Sequence, residues 1–403
     1  MNMIHGGVCA AKGFKAAGIH CGIRKNKTKK DLALIVSECR ASAAAVYTTN
    51  LVKGAPLTVT KQHIADGFAQ AIICNSGNAN TCNSDGIQVA QKMCALVEKH
   101  TGISADDVCV ASTGVIGQKL DITPVEWGMD ALVNALGDNS SDAANAIMTT
   151  DTVEKQLAYS FECGSAQCCI GGIAKGSGMI HPNMATLLVF ITTDCAISGA
   201  MLHDALCEVT QDTFNMISID GDTSTNDNVC ILANGLAGNE PITEHNENYV
   251  LFRSALFEVM NGLSRMIAGD GEGATKLLIC SVVGAKDMPN ARTAAKSVIC
   301  SSLFKAAMFG ADANWGRVLC ALGYSGADID VSKVGVTFSS VAGIIEVCRD
   351  GSGIAFDEDE AKKILSKKEI NVLVTLGDGK AEATAYGCDL TYDYVKINGD
   401  YRT

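Results

Sequence analysis

Proline is scarce in this chain, five residues in 403 against 40 glycines. That balance excludes long proline-rich linkers and predicts a folded chain with many tight turns. Long hydrophobic runs are missing too. No stretch approaches the roughly 20 apolar residues that cross a bilayer, and the opening residues, MNMIHGGVCAAKG, lack the continuous apolar segment of a secretion signal. A cytoplasmic protein with no membrane partner is expected. Basic charge is also short: 32 Lys and Arg stand against 44 Asp and Glu, a formal net charge of −12. Nucleic-acid binding rests on Lys and Arg neutralising phosphates, so nucleic acid is excluded as a partner class. The one basic cluster, Arg24 to Lys30, reads as a solvated turn ahead of a strand. Cysteine is plentiful at 18, yet no pair has CxxC spacing and none lies at finger distance from paired histidines. No metal is expected, and the cysteines, Cys168 and Cys169 among them, read as small buried hydrophobes.

What is present is an α/β texture, 47% apolar and 19% charged, long enough for two or three domains or one large core with a smaller appendage. Short strands are expected at Leu32 to Ser37, Ala45 to Thr49, Gln70 to Asn75, Asp107 to Ser112, Lys155 to Cys163, Ala166 to Ala174 and Met216 to Asp220. Amphipathic helices are expected at Asp85 to His100, ending at Gly102, at Ala200 to Gln211 behind a Ser198 cap, and near Asn246 to Ile267. From about Gly284 the pattern changes to a smaller α/β unit, so 1–283 and 284–403 are the expected divisions.

The densest chemistry lies in Lys175 to Asp194, KGSGMIHPNMATLLVFITTD. A glycine- and proline-broken loop runs into Met184-Ala185-Thr186 and then into the apolar run Leu187 to Ile191, which reads as a buried strand. Threonine is ordinary in strands. Here, however, Gly176, Gly178 and Ala185 leave the backbone uncrowded, so a carbonyl can bend toward the Thr186 hydroxyl for an N-to-O acyl shift. Scission between Ala185 and Thr186 would give Thr186 a free α-amine, ordinarily titrating near 7.7–8.0, beside its own hydroxyl. One residue would then hold nucleophile and base.

This stretch resembles the self-cleavage signature of the ornithine acetyltransferase family, the acetyl-recycling enzymes of arginine biosynthesis. The resemblance extends through several further motifs to the last residue. It implies a layered sheet-and-helix core of the N-terminal-nucleophile type with a smaller C-terminal α/β domain, and fragments 1–185 and 186–403, two of each per assembly. It implies transfer of acetyl from N-acetylornithine to glutamate through an acetyl-threonine. No cofactor is implied; acetyl-CoA is a candidate co-substrate, because the family holds members with and without that activity.

The remaining motifs read differently with and without the resemblance. Thr113-Gly114, at a strand end, has the form of an ordinary turn; the family places its oxyanion hole there. Lys175 by itself reads as a surface charge and Thr152 as part of a polar loop, yet both match substrate-contacting positions. Asp220 to Asp227, DGDTSTND, lacks the glycine and glutamate of a calcium loop and reads as structural. Gly269 to Lys276 fits no phosphate-binding spacing, but Glu272 is a carboxylate that can pair with an amino-acid ammonium, the family's role for it. Asn75 to Asn80 resembles the family's SGNAN loop, and Asp312 to Arg317 another motif, where Trp315 reads as a packing anchor. Chain ends usually fray; the family nevertheless brings Asn398 and Thr403 to substrate. Two rivals stay open: an amidase or aminopeptidase with the same nucleophile, and a non-catalytic amino-acid-binding protein.

Overall fold

The computed structural model describes residues 1–181 and 187–399. Among them are two mixed sheets. The first, of nine strands, has at its centre Leu188–Thr193, paired parallel to Asn228–Ala233 and antiparallel to Ala166–Lys175. Beyond these, one way, come Lys155–Cys163 and Asn2–Ile4; the other way come Leu32–Tyr47, Phe68–Asn78 and Val108–Val115, with Phe14–Ile19 also on Leu32–Tyr47. Both central strands bury both faces. Leu188, Phe190, Cys230 and Leu232 pack into one core with the helix Ser140–Ile147. Val189, Ile191, Val229 and Ile231 pack into another with the helices Gly199–Asp212 and Glu247–Gly269. A strand covered on both sides reads as an uninterrupted apolar run, the signal carried by LLVFI.

The second sheet has seven strands, with Leu277–Ala285 between Glu369–Thr375 and Ala381–Cys388. It includes Ile217–Ser218, paired parallel to Tyr386 and Gly387, so a segment that lies in the chain between two strands of the first sheet, Leu188–Thr193 and Asn228–Ala233, joins the second. The separate strands expected at 32–37 and 45–49 are one 16-residue strand, Leu32–Tyr47. Its register on Phe68–Asn78 shifts between Val36 and Ala41, and the charged Glu38 and Arg40 fall within this irregularity. The strand expected at 216–220 keeps only Ile217–Ser218, because Asp220 turns inward to accept the backbone amides of Met179 (2.6 Å) and Ile180 (2.9 Å). Trp315 opens the helix Trp315–Gly323 and lies against Gly353, where a Cβ would come within 2.3 Å of the indole ring.

Tyr392–Gly399 is a helix, docked on the turn after Gly269: Thr391 Oγ1 donates to Gly273 O (2.7 Å), and Asp389 accepts Thr275 N (2.8 Å) and Lys276 N (2.9 Å).

Candidate active site

A cleft of about 630 Å³, mouth included, opens where the parallel pair Phe68–Asn78 and Val108–Val115, the end of Ala166–Lys175, the turn after Gly269 and the C-terminal helix meet. Thr113, Gly114, Lys175, Glu272 and Asn398 all line it. Ala185, Thr186 and Thr403 lie outside the described residues. Leu187, bonded to Thr186, accepts Asn228 N (2.9 Å) at the start of the central parallel pair.

Gly114 has φ +132°, and a Cβ there would lie 2.3 Å from the Gly77 carbonyl carbon. Only glycine permits this close crossing with Ser76 to Asn78, the irregular end of the strand Phe68–Asn78. Side chains hold this strand end. Asn75 Nδ2 donates to Asn78 O (2.9 Å) and its Oδ1 accepts Ser112 Oγ (2.6 Å). From the opposite wall, Asn226 Nδ2 donates to Ser112 O (3.0 Å) and Ala79 O (2.5 Å). The Thr113 hydroxyl accepts from Lys175 Nζ at 3.3 Å.

Lys175 is followed by a loop fixed from beneath by a buried ionic cluster. Lys155, fully buried, donates to Asp151 (2.7 Å) and Asp270 (2.6 Å). Asp151 also accepts Gly176 N (2.8 Å) and Thr149 N (2.9 Å). Burial pushes the Asp151 carboxyl up, but the Lys155 and Lys175 ammoniums and the Gly176 amide outweigh it and hold the group at about 2, below its ordinary 3.8. A depressed carboxyl contributes stability that is complete above the unfolded value and lost as pH falls through the folded one. Acid unfolding is therefore expected to steepen between about pH 4 and pH 2; Asp151→Asn should remove that part of the transition when unfolding is followed by circular dichroism against pH.

Thr152 is exposed, and its hydroxyl and amide are bound to Asp270. Its neighbours Thr149 and Thr150 line the cleft. Glu272 is buried, donates its amide to Ser177 O (2.9 Å) and accepts Asn398 Nδ2 at 2.6 Å. Gly178 makes room for that carboxylate: a Cβ at 178 would stand 2.4 Å from its atoms. Further along the loop after Lys175, His181 meets Ser218 Oγ (3.1 Å) and Cys300 Sγ (3.5 Å), and burial, helped by Lys296, keeps the imidazole neutral by lowering it to about 4.

Sequence reasoning missed Asp227. It lines the cleft almost fully buried, and its Oδ2 has no hydrogen-bond partner among the described residues. Burial raises its carboxyl well above the ordinary value, with Lys175 opposing. The clue available was the closing Asn-Asp of the acidic turn directly before an apolar strand, where a loop carboxylate is forced inward.

The cleft thus brings the Thr113 hydroxyl and Gly114, at one strand end, together with the Lys175 ammonium and the Glu272 carboxylate. These are the groups an acyl transfer on an amino acid needs.

The sequence model described as the ArgJ family matches residues 15–403. The arginine biosynthesis bifunctional protein ArgJ of Symbiobacterium thermophilum is 51% identical over 406 residues, covering 100% of both chains. Among solved structures, the arginine biosynthesis bifunctional protein argJ of Bacillus halodurans is 41% identical, with a TM-score of 0.49 over 52% of this chain and 96% of that one. The ornithine acetyltransferase of Mycobacterium tuberculosis complexed with ornithine is 36% identical, with a TM-score of 0.42 over 46% of this chain and 99% of that one.

Proposed function

The chain belongs to the ArgJ family, and from that premise we propose that it transfers the acetyl group of N-acetylornithine to glutamate in arginine biosynthesis. The observation that carries the reading is the convergence of Thr113, Gly114, Lys175, Glu272 and Asn398, from four distant parts of the chain, on one cleft. The acetyl carrier in this reading is Thr186. Its α-amine, freed by scission after Ala185, takes the hydroxyl proton as the oxygen attacks the acetyl carbonyl. The oxyanion is received by Thr113 and Gly114. The amine then returns its proton to the departing ornithine nitrogen, leaving an ester on Thr186. Glutamate enters, and its amino group takes the acetyl group by the same steps in reverse.

Lys175 and Thr152 meet the bound amino acid, Glu272 pairs with its ammonium, and Asn398 and Thr403 close over it. Both substrates share an α-amino acid backbone, so one site serves both. Acetyl-CoA is a second donor able to acylate the same threonine, in keeping with the bifunctional name its relative carries. The working particle contains two copies each of 1–185 and 186–403 and resides in the cytoplasm.

Thr113→Ala is expected to lower the rate of transfer on the order of 100-fold while moving KM little, the mark of an interaction made mainly in the transition state. Steady-state kinetics on N-acetylornithine and glutamate check it. The amidase rival is separated by mass balance. With N-acetylornithine and glutamate together, acetylglutamate should accumulate in step with ornithine; free acetate accumulating instead would establish hydrolysis and overturn the transferase.

A further inference from the structure

Far from the cleft, three thiols converge inside the core. Cys163 ends the strand Lys155–Cys163, Cys168 stands near the start of Ala166–Lys175, and Cys195 follows Leu188–Thr193. All three are fully buried, and their sulfur atoms lie within 4.8 Å of one another. Their spacing in the chain is not that of a zinc finger, and only the pairing of three neighbouring strands brings them together.

A polar group faces the cluster as well. Asn239 Nδ2 lies 3.7 Å from Cys163 Sγ, and its Oδ1 lies 3.7 Å from Cys168 Sγ. The amide is locked: Oδ1 accepts Ala196 N (2.7 Å), and Nδ2 donates to Ala196 O (3.1 Å) and Glu240 O (2.8 Å). The nearby Asp194 is already committed to the amides of Cys169 (2.7 Å) and Lys12 (3.0 Å). Asn239 Oδ1 thus accepts from Ala196 N and from the Cys168 thiol, so ionisation of that thiol frees one of its two lone pairs at the edge of the sulfur cluster, in an otherwise apolar core.

We propose that Cys163, Cys168 and Cys195 bind one thiophilic divalent cation of the zinc class, with Asn239 Oδ1 at the fourth position. Zinc–thiolate bonds of about 2.3 Å place neighbouring sulfurs roughly 3.8–4.0 Å apart, so side-chain adjustments of under about 1 Å complete the site. Softness selects the metal: three sulfurs and one amide oxygen disfavour magnesium or calcium. Charge selects its valence. Three thiolates leave one net negative charge around a divalent ion but two around a monovalent one, and buried uncompensated charge is costly. Each coordinating thiol passes its proton to solvent, three per ion bound.

The ion is structural. Lys175 pairs with Leu188 and Ile170 with Thr193, so the thiols sit at the opposite end of these strands from the cleft. Seven residues of strand separate Cys168 from Lys175, roughly 23 Å at about 3.3 Å each. There the metal clamps the hairpin of Lys155–Cys163 and Ala166–Lys175 to the turn leading into Gly199–Asp212.

Purified full-length protein given zinc chloride and then desalted should keep one zinc per chain. Zinc-edge X-ray absorption should show three sulfur neighbours at about 2.3 Å. Changing groups behind a metal ligand costs about 10–100-fold in affinity, so loss of a ligand in Cys195→Ser should cost at least about 100-fold. Cys82→Ser and Cys320→Ser, at exposed thiols, should bind as the parent does. Zinc lost on desalting from the folded parent, a coordination shell with fewer than three sulfurs, or undiminished affinity in Cys195→Ser would each overturn the site. If Cys195→Ser does not fold, the absorption spectrum of the parent decides alone.

Discussion

Replacing Thr186 with alanine is expected to leave the chain as one 403-residue polypeptide and to abolish acetyl transfer, a loss on the order of 10⁴-fold or more in rate. Two functions disappear together because, in the proposed mechanism, one hydroxyl performs both. Without it no carbonyl can be attacked ahead of Leu187, no α-amine is freed, and no ester can form. Thr186→Ser retains a hydroxyl and should restore both in part. Denaturing electrophoresis reports scission, and acetylglutamate formation reports transfer. An alanine variant that remained uncut yet transferred acetyl at parental rate would place the nucleophile elsewhere.

Lys155→Met is expected to cost about 3–5 kcal/mol of stability, because breaking a buried ion pair leaves its partner charge uncompensated. Here two carboxylates are left, Asp151 and Asp270, each bonded to Lys155 at 2.7 Å or less. The methionine nearly matches lysine in length and fills the space, so the loss reports charge and not a cavity. The damage should reach the cleft: Asp151 orients Gly176 N and Asp270 orients Thr152, so the loop after Lys175 loses its floor. Replacing Asp151 with leucine as well should not rescue the protein, since the amides of Gly176 and Thr149 would then lose their acceptor. Urea unfolding of the three proteins tests this; a single variant within about 1 kcal/mol of the parent would show that the cluster is dispensable.

Local pattern made much of the first sheet legible. Leu188–Thr193, LVFITT, is filled with β-favouring side chains, Lys155–Cys163 carries Tyr159 and Phe161 ahead of a Gly164 turn, and Gly102, at φ +79°, ends its helix as its position foretold. The site was legible to a smaller degree. A Thr-Gly pair at a strand end is too common to stand out; Gly114 becomes distinctive only when Gly77, 37 residues earlier, crosses it. The Asp151–Lys155 spacing is visible in the chain, but Asp270, 115 residues beyond Lys155, completes the cluster and cannot be inferred from spacing. Asp227 reads as one more loop carboxylate until the strand beside Leu188 draws it inward. The C-terminal helix was physically unexpected because its anchors, Gly273 and Thr275, lie more than a hundred residues upstream.

The most direct test of the acyl-threonine account is the intact mass of the purified protein after brief incubation with N-acetylornithine and no acceptor. The account predicts two polypeptides, 1–185 and 186–403, with the mass of one acetyl group added to the second alone and removed on adding glutamate. A single uncut chain with full activity, or two fragments of which neither gains acetyl, would contradict it.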